Sequence, residues 1–71
     1  MDRYLYALVS RALKITGTYN PAETLPLIEE DLTVEDALTM RAFLQWCHDT
    51  GKGFGHGNYN ERFAEWRASN G

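Results

Sequence analysis

With 71 residues, 44% of them apolar, and a formal charge of −3, the chain has the material for one small domain with a modest core. That charge does not suggest a dedicated nucleic-acid binder, which usually shows a basic domain, and it is too small for a disordered acidic tail. A single cysteine, Cys47, excludes an internal disulfide framework and fits a reducing compartment, so a cytoplasmic protein is expected.

The first stretch, "MDRYLYALVSRALKIT", is broken by Ser10, Arg11 and Lys14. It is too short and too polar for a secretory core or a membrane span, and no membrane association is expected. Leu5, Leu8, Val9, Ala12 and Ile15 fall within one arc at helical spacing, which predicts an amphipathic helix that buries them. Arg3, Ser10, Arg11 and Lys14 form a basic strip opposite, with Ala7 between them. Such a strip is either a solvated face or a place for phosphate or an acidic partner.

Gly17 predicts the stop of this helix. Asn20 and Pro21 then supply a cap and a first helical residue. Pro26 excludes a long helix, leaving one or two turns near residues 21 to 30. From Glu23 to Asp36 the chain carries six acids and no base (Glu23, Glu29, Glu30, Asp31, Glu35, Asp36). Self-complementarity and solubility account for this acidic middle.

Thr33 opens the clearest helix. "TVED" approximates a capping box with Asp36 in the place of the usual Glu, and the acids suit the positive end of the helix dipole. The helix is expected to reach about His48, with Gly51 beyond its end and Ala37, Met40, Phe43, Leu44 and Cys47 on its buried arc. A last helix follows, capped by Asn58 or Asn60, with Tyr59, Phe63 and Trp66 as its i, i+4, i+7 stripe. No segment alternates in steps of two. The expected fold is all-α: a single helical domain over residues 1–71, with three main helices, a short turn helix and a Gly-rich connector before the last helix.

That connector, "GKGFGHGN", tests for two nucleotide motifs and meets neither. A dinucleotide fingerprint needs G-x-G-x-x-G after a strand, and a phosphate loop needs a hydroxyl residue directly after Gly-Lys, where this chain has Gly53. A bend that swings Phe54 over the core is the expectation, and no cofactor is expected. Cys47 and His48, adjacent on a helix, point apart, and His56 and Asp49 complete no paired ligand spacing, so no metal is expected. Nothing fixes nucleophile, base and orienting group together, so no catalytic residue is expected either.

Trp46 lies off the main apolar stripe of its helix, so it is either covered by the connector or last helix, or is an exposed anchor. These features point to a non-enzymatic module, a small regulator or inhibitor that binds another protein. Its expected contact residues are Trp46, Lys52, Phe54, His56, Asn58, Asn60 and Arg62. Self-association through an aromatic face fits a domain with a thin core. The second reading is a helix-turn-helix-like regulator that binds nucleic acid through the first helix or through Lys52, Arg62 and Arg67. Its turn would be longer than usual, and Glu61 and Glu65 would repel phosphate.

Overall fold

In the computed structural model the described residues are 3–54 and 58–70, with only the backbone of Asn70. They form helices α1 (Arg3–Thr16), α2 (Pro21–Thr24), α3 (Val34–Thr50) and α4 (Tyr59–Asn70), with 3-10 turns at Leu25–Leu27 and Glu29–Asp31. No strand occurs among the described residues. The fold is all-α, and no helix among them is long and apolar enough to cross a membrane.

Local chemistry sets most boundaries. At the end of α1, Gly17 takes a left-handed conformation, φ 70°, and its N–H donates to the Leu13 carbonyl at 2.8 Å. Asn20 is extended, and its side-chain oxygen accepts from the Ala22 N–H at 3.1 Å, with Pro21 next at the first helical position. Pro26 tightens the following residues into 3-10 geometry rather than a longer helix. Thr33 caps α3 by accepting from the Asp36 N–H at 3.0 Å, and Gly51 ends that helix in the left-handed region, φ 73°. α3 thus runs two residues beyond the expected His48, to Thr50, whose hydroxyl donates to the Trp46 carbonyl at 2.7 Å. Asn60 lies inside α4, which leaves Asn58 as the residue before it; the Asn58 carbonyl accepts from the Arg62 N–H at 3.0 Å.

Leu8, Val9 and Ala12 of α1 meet Leu25, Ile28, and Met40, Phe43, Leu44 and Cys47 of α3 in one core, closed by Phe54 and Tyr59. Phe43 stands at its aromatic centre, with ring centroids 5.1 Å from Phe63, 5.5 Å from Phe54, 5.6 Å from Trp66 and 5.8 Å from Tyr59. Such ring pairs add modestly to the burial of the apolar area itself. Buried Thr24 has its hydroxyl 2.9 Å from the Asn20 carbonyl and 3.0 Å from that of Thr18, so its burial leaves no lost hydrogen bond. Ile15 departs from expectation: it is 66% exposed. It sits at the edge of the apolar arc and on the last turn of α1, where the core no longer reaches it.

Candidate functional site

The expected contact residues converge only in part. Trp46 is half-buried against the core, its ring stacked on Phe43 at 6.5 Å and 18°. The Lys52 ammonium lies 5.7 Å from the Trp46 ring centroid, within cation–π range. Trp46 is thus half-buried, in contact with both Phe43 and Lys52.

The same Lys52 is 2.6 Å from one oxygen of Glu65, and Arg62 Nη1 is 2.6 Å from the other. Arg62 also donates from Nε to the Gly53 carbonyl at 3.0 Å, tying the connector to α4. The paired cations hold the Glu65 carboxyl below its usual range, Lys52 contributing most. Phe54, expected on the contact surface, instead belongs to the core: the Tyr19 hydroxyl fixes its backbone, which turns the ring inward onto Phe43 and Tyr59. Asn60 is exposed on the first turn of α4, Asn58 is half-buried before it, and His56 lies outside the described residues. Lys52 and Arg62, two of the cations that the nucleic-acid reading names, share the one carboxylate of Glu65, while Arg67 and the α1 strip lie outside this cluster.

Cys47 is fully buried, and burial pushes its thiol up to about 11, so it stays protonated and unreactive at neutral pH. His48, the next residue on α3, is exposed. Among the described residues no three His, Cys, Asp or Glu side chains come together as a metal cluster.

A second surface lies where the acidic 3-10 turn runs into α3. Glu29, Leu32, Thr33, Val34, Ala37, Leu38 and Arg41 line an open groove of about 240 Å³. Val34 is 80% exposed and Leu38 63% exposed, two large apolar side chains one turn apart at i and i+4. Isolated exposed apolar residues are ordinary, but a pair that walls a groove rimmed by charge is the usual form of a contact site. In the sequence, the signal for this groove is that Val34 and Leu38 fall off the buried stripe of α3, as an apolar i, i+4 pair on another face of the same helix.

Comparison with protein-family models, with curated proteins and with solved structures finds no match to this chain.

Proposed function

We propose that the protein is a non-enzymatic, cytoplasmic interaction module, a small regulator or inhibitor that acts by docking another protein chain. The observation that carries this reading is the pair Val34 and Leu38, held in solvent on the wall of a groove whose rim is charged. Fully burying side chains of this kind contributes about 1.5–3 kcal/mol each, which sets against the cost of association and favours a contact that covers them together. The buried Cys47 thiol and the internally paired Lys52, Arg62 and Glu65 fit the same reading, because those side chains already have partners or burial within the chain.

The test is retention on the immobilised full chain, compared with a Val34→Ser/Leu38→Ser variant that keeps its helical circular dichroism. A protein retained by the native chain at moderate salt and lost by the variant is the expected result. Retention that needs nucleic acid, or equal retention by both chains, would sink it.

A further inference from the structure

Resting on the binding reading above, we infer that the groove is filled by a second copy of this chain. A two-fold axis would set the basic, partly apolar face of α1 on one copy over the acidic, apolar groove of the other.

Among the described residues, four of the five large apolar side chains that remain exposed are Tyr4, Ile15, Val34 and Leu38. They fall on two stripes. Tyr4 and Ile15 lie three turns apart on one face of α1, with Arg11 between them and Lys14 beside it. Val34 and Leu38 wall the groove, whose lining carries Glu29 and Arg41 and beside which Glu30, Asp31 and Glu35 are exposed. The α1 stripe is basic, and the surroundings of the groove are acidic on balance, four acids against the one base Arg41. Two α1 faces, or two grooves, would repel each other; an α1 face against a groove pairs opposite charges around apolar contacts.

The placement of the stripes favours closure. Arg11 Nη2 is 4.0 Å from Asp31 Oδ2, so the α1 face and the groove lie side by side on one surface of the molecule. Neighbouring patches of opposite sign on one surface become self-complementary under a two-fold axis, whereas patches on opposite surfaces would build an open chain. The Arg11–Asp31 pair is long and both side chains are at least half exposed, so neither charge is consumed within the chain. Stable dimers cover about 800 Å² per partner, a large share of the 4561 Å² this chain exposes. Two short stripes cover less, which places the dimer in the micromolar range or weaker.

The experiment is sedimentation equilibrium of the full chain from about 1 µM to about 1 mM, on the native protein and on Glu29→Lys and Arg11→Glu separately and mixed. Both substitutions are at exposed positions, and circular dichroism verifies the fold. The native chain is expected to stop at a dimer. Each variant alone should weaken it by about tenfold or more, and the equimolar mixture should restore it, because the two-fold pairing then sets opposite charges together at both contacts. Mass that climbs beyond two copies, or a dimer indifferent to both substitutions, overturns the inference. So does a native chain that stays monomeric. A monomer that still retains a different protein through Val34 and Leu38 removes only the second copy; a monomer that retains nothing removes the binding reading as well.

Discussion

The hydroxyl of Tyr19 accepts the N–H of Phe54 at 3.0 Å and donates to the carbonyl of the same residue at 3.1 Å. One side chain thus satisfies both backbone groups of a connector residue that has no helical partner. The two rings also meet edge to face, 5.4 Å apart, so the contact fixes Phe54 by polar and apolar means together. Tyr19→Phe keeps the ring and deletes only the hydroxyl. It should destabilise the fold by about 1–3 kcal/mol, because the Phe54 N–H and carbonyl are left partly buried and unpaired. Urea unfolding checks this: the midpoint falls while the slope stays constant. An unchanged midpoint would mean that water replaces the hydroxyl at no cost.

The two described glycines of the connector answer to different physics. Gly51 needs its left-handed backbone, and a Cβ added there meets nothing within 4 Å. Gly51→Ala should therefore cost about 1–2 kcal/mol of backbone strain, whatever stands at position 19. Gly53 needs space: a Cβ there would lie 2.6 Å from Tyr19 Cζ and 2.7 Å from Cε2. Gly53→Ala must displace the Tyr19 ring and open its bonds to Phe54. In a Tyr19→Ala background most of that additional cost should vanish, whereas Gly51→Ala should cost the same in both backgrounds. A double-mutant cycle measures the difference, and additivity of Gly53→Ala with Tyr19→Ala would refute the steric account.

These two glycines also mark how far the sequence could be read. Signals that act within a few residues were legible: the Asn20 and Thr33 caps, Pro21, and the left-handed stops at Gly17 and Gly51. Periodicity identified which face of α3 is buried, but not what the opposite face meets, so the exposure of Val34 and Leu38 had no place in the reading. The Tyr19–Phe54 contact spans 35 positions, and the need for Gly53 arises only once that contact exists. In the sequence alone, Glu65 is only a charge on α4 that would repel phosphate. Folding instead places Lys52 and Arg62 around it, one from the connector and one from a turn earlier in the same helix. Contacts between distant segments carry no local signature in one sequence.

Alkaline pH should unfold the protein. Burial raises the Cys47 thiol from 9.0 to about 11, and it raises the Tyr59 hydroxyl as well. The folded chain therefore holds protons that the unfolded chain releases once the pH passes about 9, the ordinary thiol value. The stability associated with the neutral thiol is complete below that value and is lost as the pH rises toward 11. Melting temperature should fall across this interval, and Cys47→Ser should blunt the fall while lowering stability at neutral pH. The thiol should also react with a disulfide reagent at pH 8 only as fast as the chain opens. Rapid stoichiometric labelling of the native protein would show that Cys47 is not held in the core.

At acid pH the group to follow is Glu65, whose carboxyl the Lys52 and Arg62 pairs hold below the ordinary value of 4.5. A carboxyl with a lowered folded-state pKa contributes stability above its unfolded value, and that contribution is lost as the pH falls through the folded one. Glu65→Gln removes the charge but keeps the shape. The variant should melt below the native chain at pH 7 and low salt, by a small margin because the cluster is partly solvated. The margin should shrink as salt is added and close as the pH falls through the lowered value of the folded carboxyl, below which the native side chain is itself neutral. Arg62 keeps its bond from Nε to the Gly53 carbonyl in the variant, so the connector stays docked and the Trp46 fluorescence should change only through the release of Lys52 from its ring. A margin that survives both high salt and low pH would mean that Glu65 acts through packing, and that the cluster of three charges contributes nothing of its own.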